Sequence, residues 1–467
     1  MIKKTLSKKI IPFAVVSSLA FGALAGALPK VEAKEIHKSI PLASPEIKNV
    51  IFLIGDGMGG SYTSAHRMMK DNPNTKEVER SVLDQYLVGQ QMTYAEDTKQ
   101  NITDSASAGT AMSAGVKTYN SAIAVDNDQS NVKTVLEAAK EQGKSTGLVA
   151  TSEITHATPA SFGAHDISRK NMNAIADDYF DEKVNGKQKV DVLLGGGSDL
   201  FIRKDRDLTK EFQKAGYSYV TNVNDLKKDK NGKVLGLFAK GGMPKMIDRT
   251  SDLPSLEQMT VSAIDRLKTD KDGFFLMVEG SQVDWAGHDN DIVGAMSEME
   301  DFDRAFKAAI EFAKKDKHTL VVATADHSTG GFSIGAKGEY NWFSAPIKAA
   351  KRTPDFMAQE IVNGANVEVT LKKYISLDLT AEEIQSVQKA TETKKVEEID
   401  NAIEQIFDAR TFTGWTTGGH TGEDVNVYAY GPQSSRFAGH INNTDNAKII
   451  FDIIEKRSKK KTVINDK

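Results

Sequence analysis

Short, continuous apolar runs recur along the chain, separated by stretches with helical spacing. Val50-Ile51-Phe52-Leu53-Ile54 is the first. It lacks the apolar–polar alternation of a half-exposed strand, as expected of a strand covered on both faces. Further runs occupy 147–150, 190–194, 274–278 and 320–323, and 425–430 reads as a return strand. Between them lie amphipathic stretches. One covers 134–140 and is ended by Gly143. Another covers 295–315, with apolar residues at Met296, Met299, Phe302, Phe306, Ile310 and Phe312. Strand runs alternating with helical patterns predict βαβ units. The expected fold is therefore α/β, a three-layer α/β/α sandwich around a mainly parallel central sheet. No repeat of the kind that marks a solenoid is apparent.

The pattern is interrupted at 329–415. Gly330, Gly331, Gly335 and Gly338 lead into an aromatic patch at Tyr340, Trp342 and Phe343, and charge-rich helical sequence follows over 380–407. This span is expected to be an inserted cap or crown-like region that covers a crevice or joins subunits. The amino terminus has a different character. Lys3, Lys4, Lys8 and Lys9 precede an apolar stretch over 10–28, and Val31-Glu32-Ala33 places small residues at a cleavage position. Residues 1–33 read as a signal peptide, so 34–467 is the expected mature catalytic domain of a secreted or cell-envelope protein.

Composition removes several function classes. With 467 residues and 39% hydrophobic positions the chain can bury a large core. It contains no Cys, which excludes disulfides, thiolate catalysis and Cys-based metal sites. The formal charge of −4 gives no electrostatic case for nucleic-acid binding. The basic stretch 456–461 suits a helix C-terminus, with weak cell-wall association as the sharper alternative.

The chemistry sits where the strands end. The first run leads into Asp56. The 147–150 run leads to His156 and Thr158. The 274–278 run leads to Glu279, Asp284 and His288, and the 320–323 run to Asp326 and His327. In open α/β sheets the ligand crevice lies at the carboxyl ends of the strands, so four distant segments deliver acids and imidazoles to one rim. Asp284 and His288, spaced i, i+4, would share one face of a helix. His420 lies among glycines in Gly418-Gly419-His420-Thr421-Gly422. His and carboxylate ligands with an open position suit zinc, and a carboxylate- and Thr-rich oxygen site suits magnesium. Ser105, in Thr103-Asp104-Ser105-Ala106-Ser107, would open a helix of small residues whose N-terminus favours an anion. Arg169 could grip two phosphate oxygens. His37, His66, His165, His318 and His440 are expected to be structural, with His66 and His318 at helix or loop-surface positions.

Taken in order, these motifs resemble the alkaline phosphatase family. They are Ile54-Gly55-Asp56-Gly57-Met58-Gly59, Asp104-Ser105-Ala106, Thr158-Pro159, Ser168-Arg169, Val278-Glu279-Gly280, Asp326-His327 and Gly419-His420-Thr421. The resemblance covers about 48–455. It implies a phosphomonoesterase that releases inorganic phosphate through a phosphoserine on Ser105, with two Zn2+ and one Mg2+. It assigns Asp284, His288 and His420 to one zinc, and Asp56, Asp326 and His327 to the other. Asp56 would bridge to magnesium, together with Thr158 and Glu279. Arg169 would hold phosphate and Asp104 would orient Arg169. His156 stands where the best-known bacterial pattern has Asp, and Trp285 where it has Lys, which leaves the identity of the third metal open. The family is often dimeric, so a homodimer is compatible with the resemblance. A phosphodiesterase of the same superfamily is the alternative reading, because Trp285 and the insertion could accommodate a second ester group.

Overall fold

The computed structural model describes residues 46–72 and 74–465, with side chains as far as Glu455. The expected signal peptide, 1–33, lies outside the described residues. No helix among the described residues is long and apolar enough to cross a membrane.

Ten strands form one sheet. In chain order they are β1 (Asn49–Gly55), β2 (Leu87–Met92), β3 (Ser145–Glu153), β4 (Val192–Gly196), β5 (Ser218–Val220), β6 (Val234–Leu237), β7 (Phe274–Gly280), β8 (Thr319–Ala325), β9 (Val425–Tyr430) and β10 (Gly439–Asn442). Their spatial order is β10-β2-β9-β8-β1-β7-β3-β4-β6-β5. β9 pairs antiparallel with both β8 and β2, and the other neighbouring pairs are parallel. The mainly parallel α/β sandwich is thus present, with 425–430 as the return strand.

Every residue of β1, β7 and β8 is buried. Their side chains divide between two cores by strand alternation. Ile51, Leu53, Leu276 and Val278 join one, and Val50, Phe52, Phe275 and Met277 join the other. Helices close both faces. The Val135–Glu141 helix starts at a reciprocal cap, in which the Thr134 hydroxyl accepts from Glu137 N–H and the Glu137 carboxylate accepts from Thr134 N–H. The Ile292–Asp316 helix lays Met299, Phe302, Phe306 and Ile310 on the first core.

Between β8 and β9 the chain forms the helices Ala345–Lys348, Pro354–Val362, Val367–Tyr374, Ala381–Ala390 and Val396–Thr411. None contributes to the ten-stranded sheet. Their apolar faces, including Met357, Leu371, Ile403 and Phe407, extend the core on the Ile292–Asp316 side.

One histidine differs from its expected place. His66 is on a helix, but its ring is buried rather than at the surface, and its Nε2 lies 3.0 Å from Glu300 Oε2. The Gly60–Lys70 helix packs against Ile292–Asp316, which turns that face inward. His165 sits between Glu137 and Glu182, and the exposed His440 pairs with Asp424.

β8, β1, β7 and β3 are adjacent and parallel, so their carboxyl ends form a continuous rim. Gly55 is level with both Gly280 and Ala325, and Glu279 is level with Ile54 and Ala150. Phe302 packs against this rim: a side-chain carbon on Gly280 would meet its ring at 2.8 Å. Phe302→Ala is expected to cost about 3–5 kcal/mol in denaturant unfolding. Tyr340→Ala, at an exposed position, should change stability by less than about 0.5 kcal/mol.

Candidate active site

β1 delivers Asp56 by way of a tight turn. Gly57 has φ +69°, and a Cβ there would lie 2.7 Å from Asp284 Cα and 2.8 Å from Thr329 Oγ1. Glycine therefore allows the β1 turn to close against the Gln282–Asp289 helix. The Gly57 N–H donates to Asp326 Oδ1 at 3.0 Å, and the His327 N–H donates to the same oxygen at 2.9 Å. Asp326 is thus oriented through one oxygen. Its other oxygen, Oδ2, faces His327 Nε2 at 3.2 Å.

Three groups of ligating atoms converge. Asp56, Asp326 and His327 form one, with His327 Nε2 3.4 Å from Asp56 Oδ1. Asp284, His288 and His420 form the next. His288 Nε2 lies 3.4 Å from Asp284 Oδ2, His420 Nε2 lies 3.6 Å from Asp284 Oδ1, and the two imidazole Nε2 atoms are 3.1 Å apart. His327 borders this group as well, because it stacks on His420 with ring centroids 3.6 Å apart and its ligating nitrogen falls within reach of Asp284. Asp56, His156 and Glu279 form the third group. Thr158 lies beside Glu279 at the start of the Ala157–Gly163 helix.

The histidine tautomers follow from their outer hydrogen bonds. His288 Nδ1 is 2.6 Å from Gly418 O, and His420 Nδ1 is 2.9 Å from Thr103 O. A carbonyl only accepts, so both Nδ1 atoms donate. A neutral ring then presents the Nε2 lone pair to the pocket. The Thr329 hydroxyl donates to Asp284 Oδ1 and so accepts from His327 Nδ1 at 3.3 Å. The third Nε2 lone pair also faces inward.

The carboxylates show the same division between a fixed oxygen and a free one. Glu279 Oε2 accepts from Ser281 Oγ at 2.7 Å and Ser152 Oγ at 3.3 Å. Glu279 Oε1, Asp56 Oδ2, Asp326 Oδ2 and Thr158 Oγ1 are buried with no hydrogen-bond partner among the described residues. Stranded acceptors beside inward nitrogen lone pairs are the donor set that divalent cations satisfy. The residues therefore fit the two mixed nitrogen–oxygen sites and the oxygen-rich third site that the sequence implies.

Electrostatics agree. Burial, then Asp326 and Asp284, raise Asp56 well above the usual carboxylate range. Burial and Asp284 push Asp326 up to about 6, and burial lifts Glu279 to about 7. Burial opposes ionisation of Asp284, but the hydrogen bond and charge of His288 outweigh it and hold the group low. The same bond carries His288 up to about 9. Burial keeps His327 and His420 down to about 4.

Ser105 opens the Ser105–Ala114 helix. Its Oγ is 3.2 Å from His327 Nε2 and 3.4 Å from Asp56 Oδ1. Asp104 is the N-cap and has a second task. Its Oδ1 accepts from Ser107 N–H at 3.0 Å, while its Oδ2 accepts from Ser121 N–H at 3.0 Å and from Arg169 Nη1 at 3.1 Å. Burial resists the charge on Asp104, but Arg169 and these N–H groups outweigh it and keep the carboxyl ionised. Arg169 Nη2 donates to His156 Nε2 at 3.1 Å. Burial and Arg169 together push His156 down to about 3, so its ring is neutral. Trp285 packs edge-on to His156 with centroids 5.7 Å apart.

All thirteen residues singled out from the sequence meet at this rim. Sequence reasoning missed Thr329, Ser281, Ser152 and Asn120, whose side chain accepts from Asp104 N–H at 2.9 Å. Thr329 was the most accessible of these, two residues after His327. The others carry no spacing signature.

Comparison with known proteins places this geometry. The family model described as Alkaline phosphatase matches residues 47–456. The chain is 69% identical to Alkaline phosphatase 3 of Bacillus subtilis, over 99% of this chain and 100% of that one. Among solved structures, the cold-active alkaline phosphatase of Shewanella sp. is 40% identical. It covers 87% of this chain and 99% of its own, with a TM-score of 0.82. A substituted form of the TAB5 alkaline phosphatase, with magnesium bound in its M3 site, is 31% identical. It covers 88% of this chain and 99% of its own, with a TM-score of 0.65. Clustered carboxylates and imidazoles at the ends of parallel strands, a serine within reach of them and a match along nearly the whole chain lead to one conclusion: the chain belongs to the alkaline phosphatase family and is a phosphomonoesterase.

Proposed function

We propose that Ser105 is the nucleophile that hydrolyses phosphate monoesters. The observation that carries this is the position of its Oγ, at a helix N-terminus between His327 and Asp56, in a pocket of stranded carboxylate oxygens. Asp284, His288 and His420 would hold one zinc, and Asp56, Asp326 and His327 a second. Asp56, Thr158 and Glu279 would hold magnesium, with His156 beside them. When bound, these cations neutralise phosphate charge and favour the ionised forms of serine and water at the reacting phosphorus.

The chain's own groups do the rest. Ser105 Oγ gives up its proton to solvent water and attacks phosphorus in line. The Ser–O–P ester forms as the bond to the leaving alcohol breaks, and the departing alkoxide takes a proton from solvent water. Water then cleaves the ester, which restores the Ser105 hydroxyl and releases inorganic phosphate. Arg169 holds phosphate oxygens, and its guanidinium is kept in place by Asp104 on one nitrogen and His156 on the other. Backbone N–H groups at the start of the Ser105–Ala114 helix add a fixed positive field. Such catalysis is mainly positioning and electrostatics. Few groups are required around the leaving alcohol, so a broad range of monoesters is expected.

The first 33 residues support export, which makes recovery of phosphate from extracellular esters the physiological reading. A monoester should be cleaved much faster than a diester; the reverse ratio would favour a phosphodiesterase.

Acid-quenched enzyme incubated with radiolabelled phosphate should carry label on Ser105. Ser105→Ala should carry none, and its kcat should fall by on the order of 10³-fold or more. Near-normal turnover in Ser105→Ala would remove the covalent step. The combined change His156→Asp and Trp285→Lys places an anionic oxygen donor beside Asp56 and Glu279, and a cation at the rim. Magnesium should then bind more tightly, and inhibition by inorganic phosphate should shift. A titration that shows neither effect would contradict the assignment of the third site.

A further inference from the structure

We propose that Asp289, Asp400 and Glu404 form a separate cation site for a hard divalent ion of the calcium class, which ties the Val396–Thr411 helix to the end of the Gln282–Asp289 helix. No residue of this site belongs to the catalytic groups described above.

Asp400 and Glu404 are spaced i, i+4 and share one face of their helix. Like charges at that spacing destabilise a helix in isolation, and here the face points inward. The two residues are only 7% and 5% exposed. Asp400 Oδ1 and Glu404 Oε1 are buried with no hydrogen-bond donor among the described residues. Ligating oxygens of Asp289, Asp400 and Glu404 all lie within 4.8 Å of one another.

The charge of Lys245 offsets this concentration of acid only in part. Its Nζ is committed to Asp289 Oδ2 at 3.2 Å and Asp291 Oδ2 at 3.3 Å. It makes no ion pair with Asp400 or Glu404 among the described residues. The other oxygen of Asp291 caps the Ile292–Asp316 helix, accepting from Val293 and Gly294 N–H. Asp408, one turn beyond Glu404, accepts from Trp415 Nε1 at 3.1 Å. Asp400 and Glu404 are therefore the members of the acidic face that keep a buried oxygen with no hydrogen-bond partner among the described residues. As the site stands, burial and the surrounding carboxylates push Asp400 up to about 8 and Glu404 up to about 11. A cation would relieve that penalty.

The donor set names the ion. All three ligands are carboxylates and none is a histidine, which suits a hard cation rather than zinc. Asp289 remains half exposed, so water can enter and complete a shell. Calcium accepts such irregular, partly hydrated oxygen coordination more readily than magnesium, which demands a near-ideal octahedron. Asp289 directly follows His288, so the bound ion would stiffen the helix end that carries Asp284 and His288.

The test uses holoenzyme saturated with zinc and magnesium, titrated with calcium chloride by calorimetry. Metal content is then measured after desalting, and thermal unfolding is followed with and without calcium. One calcium per chain should bind, Tm should rise as calcium is added, and the zinc and magnesium contents should not change. Asp400→Asn with Glu404→Gln should abolish both effects. Asp289→Asn, at the exposed edge where folding is not at risk, should weaken binding at least about tenfold. Absence of a calcium equivalent in the parent protein would overturn the proposal, and so would undiminished binding in both variants. It would also be overturned if Glu404→Gln stabilised the protein while calcium had no effect on the parent, since the site would then be a cluster of protonated carboxyls.

Discussion

Asp56, Glu279, Asp284 and Asp326 are buried together at the ends of adjacent strands, and the rest of the site is arranged around that fact. Buried carboxylates that face one another without counterions are strongly unfavourable. Among the described residues no lysine pairs with them, and their ion-pair partners are histidines. The fold fixes one oxygen of Asp326 and of Glu279 with N–H or hydroxyl donors and leaves the second with no hydrogen-bond partner among the described residues. It turns three imidazoles so that their outer nitrogens donate and their inner nitrogens face the pocket. This division between held and open atoms prepares the pocket for cations, and Ser105 is placed at its edge.

The sheet makes this convergence possible. Parallel strands end on the same side, and β8, β1, β7 and β3 are neighbours in space although far apart in sequence. Close contacts across the rim depend on small residues. Gly57 lets the first turn approach Asp284 and Thr329. Asp104 links helix to site by capping the serine helix and gripping Arg169 with the same carboxylate. On the proposed reading, Arg169 would therefore meet phosphate at the start of the helix that carries Ser105.

The central strands were legible because a short, unbroken apolar run matches a strand covered on both faces. Those at the margins of the sheet were not. β2 reads Leu-Val-Gly-Gln-Gln-Met and is only partly buried, β10 is largely exposed, and β5 and β6 are three and four residues long. Such segments are defined by their neighbours rather than by their own pattern. His66 was misplaced for a related reason: nothing local in Ala65-His66-Arg67 announces that Glu300, more than two hundred residues away, will cover it. At the site, acids and imidazoles at strand ends were legible from residue type. Thr329, Ser281, Ser152 and Asn120 were not, because hydroxyls and amides that orient a ligand resemble those that cap turns. The acidic face of the Val396–Thr411 helix escaped notice too, since in sequence Asp400 and Glu404 look like ordinary solvated positions.

The central claim is that this pocket works only when cations occupy it. The most direct measurement is phosphate release from a monoester by protein stripped with a chelator, before and after zinc and magnesium are restored. The account predicts that activity disappears with the metals and returns when both are added. Undiminished phosphate release from protein verified as metal-free would contradict it.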